Sequence, residues 1–138
     1  MALEVGAEQK NLLLILARQL AANLATPMFL IDPAGTLVYY NEAAESIIGK
    51  PFELLGEVPV IEWAGKLDLA DLDGEPISRA ATPPGVAFSE HRPAHQLLLA
   101  TMFDGKRLRI AVTAYPLFSK RDEFAGVVAI FWENSQAG

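Results

Sequence analysis

Three long β-prone stretches follow one another in the last third of the chain, and they restrict the possible folds more than any other feature. They cover residues 96–103, 107–118 and 124–132, and Asp104-Gly105 and a polar segment over residues 119–123 connect them. Connections this short join antiparallel neighbours, because parallel strands need a crossover of about a dozen residues or more. The sequence therefore predicts an antiparallel meander, and its middle stretch alternates apolar and polar residues as a half-buried strand does.

A hairpin followed by a short helix is predicted further upstream. Residues 28–31 and 36–40 are β-prone, and Asp32-Pro33-Ala34-Gly35 between them has the composition of a turn. Asn41 then stands where a helix cap belongs, and Gly49 suits the left-handed residue that ends a helix. We expect this helix to cover about residues 42–48.

The segment from residue 51 to residue 90 is interrupted by glycine and proline so often that no long element fits there. Short helical turns are expected instead. One of them begins with Thr82 as its cap and Pro83 in its first turn, and it runs to about Glu90.

The N-terminal segment over residues 8–24 is predicted to be a helix that ends just before Thr26-Pro27, where the proline disfavours helical backbone. Its apolar positions spread wider than the single stripe that packing against one surface requires. These positions are Leu12, Leu13, Leu14, Ile15, Leu16, Leu20 and Leu24. We therefore expect two faces of this helix to be buried.

Length, charge and cysteine content limit the classes of function. A chain of 138 residues suits one globular domain, and a net charge of −6 argues against nucleic-acid binding by this chain alone. The absence of cysteine excludes disulfides, thiolate metal sites and cysteine nucleophiles. The apolar run over residues 12–17 is too short for a membrane span and lacks the basic start of a signal peptide. We expect a cytoplasmic protein without membrane contact.

The succession of motifs resembles the PAS sensor family. The resemblance is carried by MFLIDPAGTLVYYNEAA at residues 28–44, by Gly49, and by DLDGEP at 71–76, FDGKR at 103–107 and AYPL at 114–117. Together these motifs cover about residues 22–133. The family's aspartate-isoleucine-threonine run after the last strand is replaced here by Trp132-Glu133-Asn134-Ser135, so the route by which a signal would leave through that end is left open.

The resemblance implies an α+β fold with a five-stranded antiparallel sheet in the order 2-1-5-4-3, short helices on one face and the N-terminal helix packed outside. Residues 1–25 would form that helix, residues 26–133 the sensor domain and residues 134–138 a C-terminal tail. The predicted interface of a homodimer consists of Leu12, Leu13, Leu16, Leu20 and Leu24. The alternative is that all these leucines pack on the chain's own sheet.

The resemblance also implies a cavity between the sheet and the short helices. Alternate positions facing the helices supply the candidate ligand-binding residues, which are Phe29, Ile31, Tyr40, Ala44, Ile48, Leu97, Leu99, Ile110, Val112, Val128 and Ile130. The same apolar alternation is required for ordinary packing. A filled core without a pocket therefore stays open as an alternative.

No cofactor is identified by the resemblance. Flavin and coumaroyl photosensors of the family use a reactive cysteine, which this chain lacks. Haem-binding members use a histidine on the helix just before the third strand. His91 and His95 lie in roughly that region, but Pro93 between them disfavours a continuing helix. We expect both histidines to be exposed loop residues and predict neither a haem nor a metal site.

The predicted function is signal sensing and dimerisation within a signal-transduction or transcription-regulatory protein, with a small apolar ligand as the candidate signal. An effector domain or a protein partner would receive the signal. A ligand-free dimerisation or adaptor domain is the first alternative, and a small α+β hydrolase or isomerase using His91 or His95 is a remote one. No catalytic residue is predicted, because the chain lacks a nucleophile elbow and a phosphate-binding glycine loop.

Overall fold

A seven-stranded antiparallel sheet forms the centre of the computed structural model, which describes residues 13–60, 62, 67–119 and 122–134. Its strands are β1 (Met28–Ile31), β2 (Thr36–Tyr40), β3 (Val58–Pro59), β4 (Asp68–Ala70), β5 (Ala94–Thr101), β6 (Arg107–Phe118) and β7 (Phe124–Glu133). Their spatial order is β3-β2-β1-β7-β6-β5-β4. The five longer strands therefore have the predicted order, with the last strand paired between the first hairpin and the rest of the meander.

The number of strands differs from the predicted five, because β3 and β4 extend the sheet at its two edges. Both lie in the segment that was expected to contain only short helical turns. An edge needs only one row of hydrogen bonds, so two or three residues can pair there without any β-prone run. Pro59 is tolerated in β3 because its missing N–H is not needed on the free side of an edge strand.

Helices cover both faces of the sheet. The inner face packs against α2 (Glu42–Ile48), α3 (Phe52–Leu55), a 3₁₀ turn (Arg79–Ala81) and α4 (Pro83–Glu90). The outer face carries α1, which the structure describes over residues 13–22. Leu12 and the predicted start of this helix at residue 8 lie outside the described residues, as do residues 135–138 of the predicted tail.

The helix boundaries predicted from capping signals are confirmed. The Asn41 side chain accepts a hydrogen bond from Ala44 N at 3.0 Å, so it caps α2. Gly49 ends α2 in the left-handed region with φ 89°, and Thr82 caps α4 by accepting from Gly85 N at 3.3 Å. The prediction for α1 was two residues too long, because residues 23 and 24 leave the helix as a turn.

Asn41 also joins α1 to the sheet. It is buried, and its Oδ1 accepts a second bond from Met28 N at 3.0 Å. Its Nδ2 donates to Ala21 O at 2.9 Å and to Thr26 O at 2.8 Å. One side chain thus bonds to the end of α1, to the segment after it, to the start of β1 and to the start of α2.

The core lies between the inner face of the sheet and the helices that cover it. It is formed by Phe29, Ile31, Leu37, Tyr40, Ala44, Ile48, Phe52, Leu67, Ala87, Leu98, Ala100, Met102, Ile110, Val112, Ala114, Val127, Ala129 and Phe131. Among the described residues, no helix has both the length and the apolar content needed to cross a bilayer.

Candidate ligand-binding cavity

A cavity of about 480 Å³ lies within this core, between the inner face of the sheet and the segment that includes the 3₁₀ turn and α4. Its size is typical of small-molecule sites. The described residues that line it are Phe29, Ile31, Ala34, Gly35, Ile48, Pro59, Val60, Leu67, Leu69, Arg79, Ala80, Thr82, Pro84, Gly85, Phe88, Ser89, Leu98, Ala100, Met102, Ile110, Val112 and Phe131. Residues of β1, β5, β6 and β7 therefore form one wall of the cavity together.

The wall of the cavity carries very little hydrogen-bonding capacity. Its residues on β1, β5, β6 and β7 are all apolar. The Thr82 hydroxyl donates to Arg79 O at 2.6 Å, and the Ser89 hydroxyl donates to Gly85 O at 2.8 Å. Because both hydroxyl protons are used by neighbouring backbone, the cavity suits a mainly apolar molecule.

The predicted cavity residues divide into three groups. Phe29, Ile31, Ile48, Ile110 and Val112 line the cavity. Tyr40 and Ala44 are buried in the same core but do not line it. Leu97, Leu99, Val128 and Ile130 alternate with the residues that face the core, and they lie on the outer face. Ligand contact by the first group stays a prediction.

The assignment of β5 and β7 to faces was wrong by one residue. Leu98 and Ala100 line the cavity instead of Leu97 and Leu99, and Phe131 lines it instead of Ile130. A shift of one residue exchanges the two faces of a strand, and both strands are apolar on both faces, so their composition does not distinguish the faces. The register that pairs Leu98 with Ile110 gives the correct face of β5, because directly opposed residues in an antiparallel pair share a face.

Tyr40 is held away from the cavity by α3 and the loop before it. Its ring meets Phe52 edge-to-face with a centroid distance of 5.2 Å, and its hydroxyl donates to Lys50 O at 2.6 Å. Burial, with a smaller contribution from the Glu45 carboxylate, raises the pKa of Tyr40 to about 12. The hydroxyl bond to Lys50 O fixes the chain after α2.

The two histidines lie outside the cavity lining. His91 follows α4 with φ 56°, and its ring stacks on Phe124 with centroids 4.2 Å apart. His95 is exposed as expected, but it belongs to β5 and not to a loop. Its Nδ1 lies 2.6 Å from the Thr113 hydroxyl, and Trp132 is beside it. Within the described part of the chain, a haem in this cavity would find no histidine ligand, and no three metal-ligating side chains lie together.

A second apolar surface lies on the outer face of the sheet. This outer groove is formed by Leu13, Leu16, Ala17 and Leu20 of α1 together with Met28, Tyr115, Leu117, Val128 and Ile130. Leu13 is half-buried, whereas Leu16 is 53% exposed and Leu20 is 60% exposed. Leu24, which lies outside this groove, is exposed as well. Within the residues that the structure describes, α1 thus has one face on the sheet and another face that is exposed.

The covered face of α1 is fixed to the sheet at several points. Leu14 packs over Gly126 of β7, where an added Cβ would come within 3.3 Å of Leu14 Cδ2. The Arg18 guanidinium lies 4.6 Å from the centre of the Tyr39 ring on β2. Ala21 is fully buried and its carbonyl bonds to Asn41. These contacts attach α1 to β2, to β7 and to Asn41.

This architecture is similar to that of known PAS domains. Residues 16–82 match the family model of the PAS domain. No protein of curated function matches the sequence. Among solved structures, the PAS domain of a protein from Colwellia psychrerythraea has a TM-score of 0.63 at 14% identity, over 88% of this chain and 97% of that one.

Two further structures share the fold. The PAS domain of nitrogen regulation protein NR(II) from Vibrio parahaemolyticus has a TM-score of 0.58 at 17% identity, over 86% of this chain and 98% of that one. The light-state dimer of the fungal blue-light photoreceptor Vivid has a TM-score of 0.58 at 14% identity, over 82% of this chain and 79% of that one. The match over residues 16–82 and this common fold confirm the predicted resemblance to the PAS domain family.

Proposed function

We propose that this PAS domain is a sensory module that binds a small apolar ligand and responds through a dimer contact made by α1. The observation that carries the proposal is the cavity of about 480 Å³ behind an apolar wall of sheet residues. Pockets that bind small molecules are of this size and are lined mainly by apolar side chains. An effector domain or a partner protein would receive the signal.

The chemistry of the lining favours binding over catalysis. The only hydroxyl side chains in the described lining are Thr82 and Ser89, and both donate their protons to backbone carbonyls. A nucleophilic hydroxyl needs a base that accepts its proton, and no histidine, aspartate or glutamate is among the described lining residues. We therefore propose a binding site without turnover.

The outer groove supports the dimer contact. Leu16 and Leu20 are more than half exposed, and they continue the apolar surface of Val128 and Ile130 on β7. An exposed apolar helix face beside an apolar sheet face is typical of a surface that a partner covers. A second copy of α1 is the occupant we propose, and the solved light-state dimer of Vivid shares this fold.

The proposed signal route is short. Phe131 lines the cavity, whereas the adjacent residue Ile130 on the same strand lines the outer groove. A ligand that moves β7 would therefore also move the surface on which α1 and its partner lie. A ligand acts on a distant site only if it binds the two arrangements with different affinity.

The ligand part of the proposal is tested by filling the cavity. Ala100 is buried and lines the cavity, whereas Thr101 on the same strand faces the other side. We expect Ala100→Phe to weaken binding of the neutral fluorescent probe N-phenyl-1-naphthylamine at least about tenfold, because the ring occupies the site. Thr101→Phe should leave the affinity within about twofold of wild type. Equal binding by both variants would contradict a ligand site in this cavity.

The dimer part is tested by placing charge on the exposed face of α1. We expect the wild-type chain to be a dimer and Leu16→Glu with Leu20→Glu to be a monomer, because carboxylates would be buried without partners in the interface. Gln19→Glu adds a charge to α1 outside the outer groove and should leave the dimer intact. Analytical ultracentrifugation gives the mass, and a monomeric wild-type protein would end the dimer proposal. A wild-type dimer that binds no probe would favour the adaptor function.

A further inference from the structure

The lining of the cavity contains one charged side chain among the described residues, Arg79. Arg79 belongs to the 3₁₀ turn before α4 and is exposed, so it lies where the cavity meets solvent. No ion pair involves Arg79 in the part of the chain that the structure describes. A cation at the rim of an apolar cavity gives the site two chemically different ends.

The N-terminus of α4 does not supply a competing anion site. Its first two residues are Pro83 and Pro84, which have no N–H, and Gly85 N already donates to the Thr82 hydroxyl. The next amide, Val86 N, donates to Thr82 O at 2.9 Å. The backbone donors that usually attract an anion at a helix start are therefore absent or occupied.

The charge of the whole protein makes the position of Arg79 informative. At a net charge of −6 the chain repels anions on average. An anionic ligand therefore needs a local cation, and a guanidinium can hold a carboxylate with two parallel hydrogen bonds. A purely apolar ligand would gain nothing from Arg79.

We propose that the ligand is an amphipathic carboxylic acid, whose hydrocarbon part fills the cavity and whose carboxylate binds Arg79 at the rim. This inference rests on the proposed ligand-sensing function and specifies its chemistry. The wall formed by Phe29, Leu98, Ile110 and Phe131 contacts the hydrocarbon. The charged group stays partly in water, which avoids the cost of burying a carboxylate.

The test compares acids with alcohols of the same length. Octanoate, decanoate and dodecanoate and the corresponding alcohols are titrated at pH 8 against bound N-phenyl-1-naphthylamine. We expect the best acid to bind wild type about tenfold more tightly than its alcohol, as a charge-assisted bidentate contact would give. Arg79→Gln should remove that difference by weakening the acid about tenfold while the alcohol changes less than about twofold.

Two controls separate the possible outcomes. Arg92 is exposed and pairs with Glu90 at 3.0 Å outside the cavity, so Arg92→Gln removes the same charge without touching the lining. Acid binding that falls equally in Arg79→Gln and Arg92→Gln would reflect net charge only and overturn the proposal. Acids and alcohols that bind wild type equally would overturn it too, while the apolar site would stand. If neither class displaces the probe, the ligand-sensing function itself is contradicted.

Discussion

Replacing Asn41 with alanine is expected to lower the free energy of unfolding by about 3–5 kcal/mol, more than the loss of a helix cap alone. The side chain is buried and accepts from Met28 N as well as from Ala44 N. It also donates to Ala21 O and Thr26 O. Alanine would leave the buried Met28 N and Ala44 N without the acceptor that they share, and each such group costs about 1–3 kcal/mol. The measurement is urea unfolding followed by circular dichroism.

A comparison variant separates the cap from the other bonds of this residue. Thr82→Ala removes a cap that contacts only nearby backbone, and about 1 kcal/mol is expected. An Asn41→Ala loss no larger than that of Thr82→Ala would mean that the bonds to α1 and β1 add nothing to stability.

Gly126→Ala should be the second strongly destabilising change, with an expected loss of about 3 kcal/mol or more. Gly126 has φ 132°, and an added Cβ would overlap the carbonyl oxygen of Ile31 on the adjacent strand. The backbone of β1 or β7 would have to move, and Leu14 of α1 packs over the same point. Thermal and urea unfolding measure the loss.

Gly74→Ala is the matched control for this change. Gly74 also has a left-handed backbone, with φ 88°, but an added Cβ there would meet nothing within 4 Å. Only conformational strain is then introduced, and the expected loss is about 1 kcal/mol. Similar losses in both variants would show that β1 can move away from an alanine at position 126 without a further loss of stability.

Sequence signals predicted the fold best where they act locally. The hairpin turn over Asp32–Gly35, the caps at Asn41 and Thr82 and the stop at Gly49 depend on backbone preferences of a few residues, and the structure has all of them. The short edge strands β3 and β4 were missed because nothing in Val58–Pro59 or Asp68–Ala70 marks a strand. They form because β2 and β5 supply an existing edge.

The cavity was harder to predict than the fold. β6 was assigned to the correct faces because Arg107, Arg109 and Thr113 mark its outer side. In β5 and β7 consecutive residues are apolar because both faces of the strand are covered. The alternation of apolar and polar residues that would distinguish the two faces is therefore absent. The register across the Asp104-Gly105 turn would have corrected β5, but the longer connection before β7 leaves several registers open. No sequence pattern marks Arg79 as a cavity residue, because its place at the rim depends on how the 3₁₀ turn folds over the sheet.

The alternation along β7 has a consequence for how such a domain can change during evolution. Val127, Ala129 and Phe131 face the core and cavity, whereas Val128 and Ile130 face the outer groove. A substitution at one position can therefore alter ligand preference or partner preference without altering the other. Insertion or deletion of one residue in this strand would instead exchange both surfaces at once. Diversification of this protein should accordingly proceed through substitutions in β7, with length changes confined to the loops.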